Sequence, residues 1–347
     1  MSEITILHLS DLHMEKSNLT KPEVVMKALF EDLKRLRNNE DLKPDLVFFT
    51  GDLVKDGSKD EEFKRAKEEF ITPLMKTLGL SEDCFFLVPG NHDIDRDKQN
   101  QNKDTIFYIR ALYKNKDERD KFFDNNKMGL QKGKYMEALH YFTALKNTLD
   151  YSHIEHKENN MFSVYKPTIN GVKLGIGCLN SAWLSCGAKF DKKELIVGER
   201  QVDWVFEEIR DCSIKIALMH HHIEDLTPLD GKCVKDKLRN NFDWLFTGHL
   251  HMNKLEFREG PQPYGKLFHS VAGELSEDSE GYYQGYTILK FDLQSKQNTK
   301  IHKSKYRVSC QEFLTDTDAD SNVVDANHML GSNLIIASAK NDPRRTK

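Results

Sequence analysis

The sequence lacks paired cysteines, because its six cysteines lie scattered at positions 84, 178, 186, 212, 233 and 310 without CxxC spacing. This scatter argues against a zinc ribbon or a thiol redox pair, and we interpret them as reduced structural thiols. No apolar run approaches the length of a membrane span, and the first residues, MSEITILHLSDLH, lack the features of a signal peptide. We therefore expect a cytoplasmic protein that does not contact membranes.

An excess of basic residues is absent as well. The formal net charge is -4, so the chain carries no global signal of a domain that coats nucleic acid, although a local basic patch remains compatible with it. Hydrophobic residues make up 38% and charged residues 31%, which is polar but not the composition of a disordered chain. A chain of 347 residues can bury a sizeable core.

Apolar runs and helical patterns alternate along the first ninety residues, which predicts βαβ units and a largely parallel sheet. Further strand patterns follow residue 160, and two sheets are the economical arrangement for so many strands. The predicted strands lie at 4–10, 45–52, 84–93, 161–181, 214–222, 242–252, 266–275 and 285–293. Helices are predicted at 21–39, 59–79 and 197–211, and Asn170-Gly171 predicts a hairpin turn.

Two stretches differ from this pattern. Residues 95–160, rich in lysine, aspartate and asparagine, are predicted to form a helical insertion whose aromatic residues pack it onto the main domain. Residues 311–347 lose periodicity and are interpreted as a polar tail or linker. The main domain is therefore predicted to span residues 1–310.

Polar side chains follow the predicted strands at the point where each one ends. In open α/β sheets, functional sites assemble outside the carboxyl ends of the strands, so we expect these side chains to meet. Seven of them are carboxylate, amide or imidazole groups that suit divalent metals: Asp11, His13, Asp52, Asn91, His220, His249 and His251. Seven ligands suit two ions about 3.5–4 Å apart that share one carboxylate, for which Asp52 is the natural bridge.

The blocks SDLH, GDLV, GNHD, MHH and GHLH, in this order, resemble the signature blocks of the calcineurin-like metallophosphoesterase superfamily across residues 4–290. The resemblance implies an α/β fold of two packed mixed β-sheets flanked by helices, a four-layer α/β/β/α sandwich with the helical insertion. It also implies phosphoester hydrolysis by in-line attack of a metal-bridging hydroxide.

The resemblance further implies a role for each residue. Asp11, His13, Asp52 and His251 would hold one ion, and Asp52 with three others, Asn91, His220 and His249, would hold the second. His92 would be the general acid, and Asp93 would fix its tautomer. The ions are expected to be manganese, with iron, zinc, nickel and magnesium as alternatives.

Differences between the branches of the superfamily narrow the range of expected substrates. GDLVKDG and GNHD differ from the GDxVDRG and GNHE blocks typical of protein Ser/Thr phosphatases, and His13 occupies a position that argues against a purple acid phosphatase. A phosphodiester or nucleotide is the expected substrate. Three alternatives remain open: a nuclease acting on DNA or RNA, an effector domain fused to a regulatory NTPase module, and a non-catalytic metal-bound scaffold.

Overall fold

The computed structural model describes residues 2–15, 20–38, 42–121, 134–159, 161–259, 266–276 and 282–316. Most of the predicted tail and residues 122–133 of the predicted insertion lie outside these ranges. The strands, in chain order, are β1 Glu3–Leu9, β2 Leu46–Phe49, β3 Phe85–Leu87, β4 Glu155–Glu158, β5 Phe162–Lys166, β6 Thr168–Ile169, β7 Val172–Leu179, β8 Ile214–Leu218, β9 Trp244–Thr247, β10 Lys254–Glu259, β11 Lys266–Val271, β12 Gly285–Asp292, β13 Asn298–Arg307 and β14 Glu312–Thr315.

The helices surround these strands. In chain order the α-helices are α1 Thr20–Arg37, α2 Asp60–Arg65, α3 Thr72–Leu78, α4 Arg96–Gln101, α5 Lys103–Leu112, α6 His140–Lys146, α7 Ala188–Asp191, α8 Glu199–Ile209 and α9 Pro228–Asn241. A π-helical segment, Ala66–Ile71, joins α2 to α3. The single helix predicted at 59–79 is therefore α-helical at both ends and π-helical in the middle. Short 3₁₀ helices occur at Glu82–Cys84, Lys134–Leu139 and Ile223–Asp225. In the described part of the chain, none of the helices has both the length and the apolar character required to span a bilayer.

The strands form two mixed sheets, which confirms the predicted fold class. The first has the order β14-β13-β12-β1-β2-β3, in which β1 pairs with β2 and β2 with β3 in parallel, while the other neighbouring pairs are antiparallel. The second has the order β10-β11-β9-β8-β7-β5-β4, with β6 paired to β7. Its central strands β7, β8, β9 and β11 are parallel.

Aromatic side chains fill the space between the two sheets. Phe48 on β2 meets Phe246 on β9 edge to face, with ring centroids 4.8 Å apart. Trp244 on β9 stacks on Phe291 of β12 at 4.0 Å. These contacts join strands of different sheets, so the sheets pack face to face and bury the core between them.

The helices cover the outer faces of both sheets. Phe70 of the π-helical segment packs on Phe49 of β2, with centroids 5.7 Å apart. On the other side, β7 carries Gly177, where an added methyl group would collide with Val205 of α8. A glycine here allows the helix to approach the sheet closely. The result is the expected four-layer arrangement of helices, two sheets and helices.

Several elements follow directly from the sequence. The hairpin between β6 and β7 turns at Asn170 and Gly171, whose φ angles of 51° and 79° are typical of a type I′ turn. Helix α3 ends at Gly79, which adopts a left-handed φ of 69°. The predicted insertion range contains α4, α5 and α6, and its last residues form β4 at the edge of the second sheet.

Candidate metal centre

Five parallel strands from the two sheets end at one edge of the sandwich. The loops that follow β1, β2 and β3 of the first sheet face those that follow β8 and β9 of the second. They carry the seven expected ligands and the expected acid: Asp11, His13, Asp52, Asn91, His92, His220, His249 and His251. The structure therefore brings together side chains that are up to 240 residues apart in the chain.

Asp52 lies at the middle of this cluster. Its Oδ2 atom is 3.3 Å from Nε2 of His220 and 3.8 Å from Nε2 of His13. Nε2 of His220 is also 3.2 Å from the side-chain oxygen of Asn91. The carboxylate of Asp52 thus faces donor groups on both sides.

Asp11 and its neighbours form the part of the cluster next to Asp52. Oδ1 of Asp11 lies 3.0 Å from Nε2 of His251 and 3.9 Å from Nε2 of His13. One ligand atom from each of these three residues lies within 4.8 Å of the others. The ring of His249 lies beside that of His220, with the two centroids 5.0 Å apart.

Strained backbone accompanies the cluster. Nine non-glycine residues in the described ranges have a positive φ, and five of them are expected ligands: Asp11, His13, Asp52, His249 and His251, with φ between 49° and 66°. Left-handed backbone is uncommon outside glycine, and it concentrates at sites where function requires it. These loops turn sharply so that successive side chains leave the strand ends toward one point.

Two glycines make room for the cluster. A methyl group at Gly90 would overlap Asp52, both at its backbone nitrogen and at its carboxylate. At Gly51, whose φ is 96°, a methyl group would overlap the ring of His220. The sequence therefore needs glycine in GDLV and in GNHD because the loops lie directly against Asp52 and His220.

Protein groups contact the Nδ1 atoms of two imidazole rings, on the side of each ring away from the Asp11 and Asp52 carboxylates. Nδ1 of His220 lies 2.7 Å from the carbonyl oxygen of Thr50. Nδ1 of His251 lies 2.6 Å from Oε2 of Glu274, which is only 2% exposed. Sequence reasoning missed Glu274, although a carboxylate at the end of a predicted strand, in VAGEL, was a usable signal. Such contacts orient an imidazole and fix its tautomer.

The expected pairing of Asp93 with His92 is wrong. The Asp93 carboxylate is buried and accepts hydrogen bonds from the backbone N–H groups of Val54, at 3.0 Å, and Gly90, at 2.8 Å. Burial, and then the nearby negative charge, raise the pKa of Asp93 to about 7. Nδ1 of His92 instead lies 2.9 Å from the carbonyl oxygen of Lys55. Asp93 thus stabilises the turn, while a backbone carbonyl orients His92.

Charge in the cluster is balanced between carboxylates and imidazoles. Burial opposes ionisation of His251 and His220, but the adjacent carboxylates outweigh it and raise their pKa values to about 11 and about 9. Burial also raises the pKa of Asp11, but His251 overcomes this and lowers it to about 2. The negative charges of the buried Asp11 and Asp52 carboxylates are thus balanced by protons on His251 and His220. Bound cations would replace these protons.

The donor set fits divalent metals. Buried carboxylates, an amide oxygen and several imidazoles are the ligands that first-row transition ions accept, and Asp52 belongs to two of the donor groups. We find no other grouping of comparable size away from these strand ends in the part of the chain that the structure describes.

A cleft of about 600 Å³ opens beside His92. Its walls carry four carboxylates and three cationic side chains, together with Ser58 and His92; the charged residues are Glu15, Lys55, Asp56, Lys59, Glu62, Arg96 and Asp97. Arg96 contacts the His92 ring with its guanidinium nitrogen, 3.4 Å from Nε2. The candidate metal centre therefore borders a polar cleft.

Comparison with known proteins adds a family. The sequence profile of the calcineurin-like phosphoesterase family matches residues 4–253. An uncharacterized metallophosphoesterase-like protein of Bacillus subtilis (strain 168), YydB, is 33% identical over 96 residues, which are 27% of this chain and 18% of YydB. A probable glycerophosphodiester phosphodiesterase of Arcobacter nitrofigilis, GpdQ, is 38% identical over 90 residues, which are 25% of this chain and 29% of that protein. The matched segments span less than a third of either relative.

A solved structure is similar at lower identity. The sulfate thiohydrolase SoxB of Thermus thermophilus, in complex with glycerol, is 11% identical with a TM-score of 0.48. The match covers 91% of this chain and 58% of SoxB.

Proposed function

This chain belongs to the calcineurin-like phosphoesterase family, and from this premise we propose that it hydrolyses phosphodiesters with two divalent ions bound at the strand ends. The observation that carries the proposal is the position of Asp52 between two sets of metal donors. A carboxylate in that position is the bridge that a two-ion site requires.

Each ion would have its own set of ligands, with Asp52 common to both. The first set is Asp11, His13, Asp52 and His251, and the second is Asp52, Asn91, His220 and His249. When bound, such a pair would neutralise the phosphoryl oxygens and lower the pKa of a water molecule. Manganese is our proposed metal, and iron, zinc, nickel and magnesium accept the same ligand types.

His92 would protonate the departing alkoxide. Its Nδ1–H can donate to the Lys55 carbonyl oxygen at 2.9 Å. The proton given to the alkoxide would then be a second one, carried on Nε2 of the imidazolium, and the ring would be neutral after the transfer. The His92 ring lies edge-on to the ring of His13, with centroids 4.6 Å apart, so the acid sits next to the first set of ligands. Arg96 would place a fixed positive charge beside the same ring, where negative charge develops during bond cleavage.

The cleft beside His92 supports a small diester over a nucleic-acid strand. Its four carboxylates outnumber its three cationic side chains, and Lys55 and Lys59 already pair with carboxylates. A polyanionic strand would be repelled by such a surface, whereas a polar, hydroxylated alcohol could form hydrogen bonds with it. The substrate class we propose is therefore a small phosphodiester.

The test uses bis(p-nitrophenyl) phosphate, single-stranded DNA and duplex DNA as substrates, after chelation and readdition of Mn²⁺. We expect metal-dependent turnover of the diester and no cleavage of either DNA. Asp52→Asn and His92→Ala should each abolish diester turnover while the circular dichroism spectrum stays unchanged, and the exposed His153→Ala serves as the control variant. Wild-type rates in either site variant would refute the assignment.

Other outcomes would favour the alternatives. Metal-dependent cleavage of DNA would identify a nuclease, and the insertion would then be examined as a strand guide. Absence of turnover on all three substrates, with two ions bound, would favour the scaffold. A cytoplasmic location and a fused NTPase module stay predictions from the sequence.

A further inference from the structure

Two imidazole rings at the strand ends, those of His220 and His251, share one arrangement. In His220 and His251, Nδ1 lies against a protein group, Thr50 or Glu274, and Nε2 points to a carboxylate of the cluster. The buried His8 differs because hydroxyl groups occupy both of its ring nitrogens, at 2.9 and 3.1 Å. A ring whose two nitrogens both meet protein groups is structural, whereas a ring held at Nδ1 with its Nε2 among the donor atoms of the cluster is placed to bind a metal.

His221 has the arrangement of a ligand. Its Nδ1 lies 2.9 Å from the hydroxyl oxygen of Ser181, which also accepts the backbone N–H of His221 at 3.1 Å. The side chain is only 1% exposed, yet Nε2 has no hydrogen-bond partner among the residues that the structure describes. A buried polar atom without a partner calls for a group that the protein itself does not supply.

The position of His221 indicates what that group is. Its ring meets the ring of His249 edge-on, with centroids 4.6 Å apart, and the ring of His220 at 4.8 Å. One ligand atom from each of these three histidines lies within 4.8 Å of the others. Three imidazoles at this spacing can reach a single ion.

We propose that Nε2 of His221 is a further ligand of the ion assigned to His220 and His249, which makes that half of the centre rich in nitrogen. This inference rests on the proposed two-ion site, and it adds a ligand that the sequence blocks did not assign. Imidazole-rich sites select zinc, iron, cobalt or nickel over magnesium. The two halves of the centre would therefore differ in metal preference, with oxygen donors weighted toward Asp11 and nitrogen donors toward His221.

The next residue in the chain supplies a matched control. The ring of His222 stacks on His269, with centroids 5.1 Å apart, and its Nδ1 accepts the backbone N–H of Glu224. His222 is also buried, and the same substitution can be made there. A comparison of His221→Phe with His222→Phe separates loss of a ligand from loss of a buried imidazole.

The experiment loads the metal-free protein with Co²⁺ and follows the visible absorption, while a chromophoric chelator competes for the ions. For His221→Phe we expect one of the two ions to bind about ten-fold or more weakly, with a changed absorption spectrum. His222→Phe should retain both ions and the wild-type spectrum. Two ions bound to His221→Phe with wild-type affinity and spectrum would overturn the inference.

Two further variants keep the result interpretable. If His221→Phe fails to fold, as judged by circular dichroism of the metal-free protein, His221→Gln takes its place with the same expected loss. Asp52→Asn tests the two-ion site itself, because loss of the bridge should weaken both ions. Wild-type cobalt binding by Asp52→Asn would contradict the proposed two-ion centre. If Asp52→Asn weakens both ions but the His221 variants bind cobalt as wild type does, only the assignment of His221 as a ligand is contradicted.

Discussion

The buried His8 predicts how the stability of this protein depends on pH. His8 lies on β1 between the two sheets and is 0% exposed, with its ring edge-on to Phe246 at 5.0 Å. Burial, and then the charge of His269, lower the pKa of His8 to about 3. In the unfolded chain the same group titrates near its ordinary pKa of about 6.5.

The direction follows from proton binding. Between pH 6.5 and pH 3 the unfolded chain binds a proton at His8 that the folded chain does not, so the folded state loses stability as the pH falls. The contribution of the neutral, buried His8 to the free energy of unfolding is complete above pH 6.5 and is lost progressively below that pH. At pH 5 the loss amounts to about 2 kcal/mol, from RT ln(1 + 10^1.5).

The perturbation is His8→Gln, which removes the titrating group and keeps a side chain that can both donate to and accept from the two hydroxyl groups. Urea unfolding at pH 8 and pH 5, in the presence of a chelator, measures the free energy of unfolding without a contribution from metal release. Wild type should lose about 2 kcal/mol more than His8→Gln between the two pH values. The exposed His153→Gln controls for substitution of a histidine, and equal losses in wild type and His8→Gln would refute the reasoning.

Three more substitutions follow from the structure. Glu274→Gln should lower metal affinity roughly ten- to a hundred-fold, because the carboxylate lies 2.6 Å from His251; isothermal titration with Mn²⁺ measures it. Asp191→Ala should lower the free energy of unfolding by about 3 kcal/mol in urea titrations, because it leaves the buried guanidinium of Arg110 without its carboxylate. Gly90→Ala should abolish diester turnover with the secondary structure intact by circular dichroism, because the added methyl overlaps the proposed bridging carboxylate.

The two-sheet fold was predictable because its central strands are continuous apolar runs that end in glycine or polar residues. Strand β13 was missed because its sequence, NTKIHKSKYR, alternates lysine with other residues and has no apolar run. The hydroxyl of Ser304 on β13 is buried and donates to Asp32 of α1 at 2.7 Å, as does that of Tyr286 on β12 at 2.6 Å. Asp32 lies 254 residues from Tyr286 and 272 residues from Ser304 in the chain. A hydrogen-bond partner so distant makes these buried polar positions acceptable, and no local sequence pattern reveals it.

The candidate site was predictable for a different reason. The spacings D-x-H, G-N-H and H-x-H each place donor groups at a strand end, and parallel strands bring their ends together. The contacts behind the donors were not predictable, because they depend on the direction in which each loop leaves its strand. Adjacent residues illustrate this: His92 turns toward the carbonyl of Lys55, whereas the carboxylate of Asp93 turns under the loop to Val54.

The fold itself holds the expected ligands in place. A left-handed non-glycine residue costs roughly 1–3 kcal/mol, so the five expected ligands with positive φ store strain that the surrounding structure must offset. Backbone hydrogen bonds between loops provide part of the stabilisation that offsets this strain. The backbone N–H of Asp11 donates to the carbonyl of Gly51 at 2.9 Å, and that of His13 donates to the carbonyl of Asp52 at 3.1 Å. The backbone N–H of His249 donates to the Asp11 carboxylate at 3.2 Å, which links the two sheets at the site. Because these bonds need no metal, bound ions would chiefly replace protons in a cluster whose geometry the fold has already set.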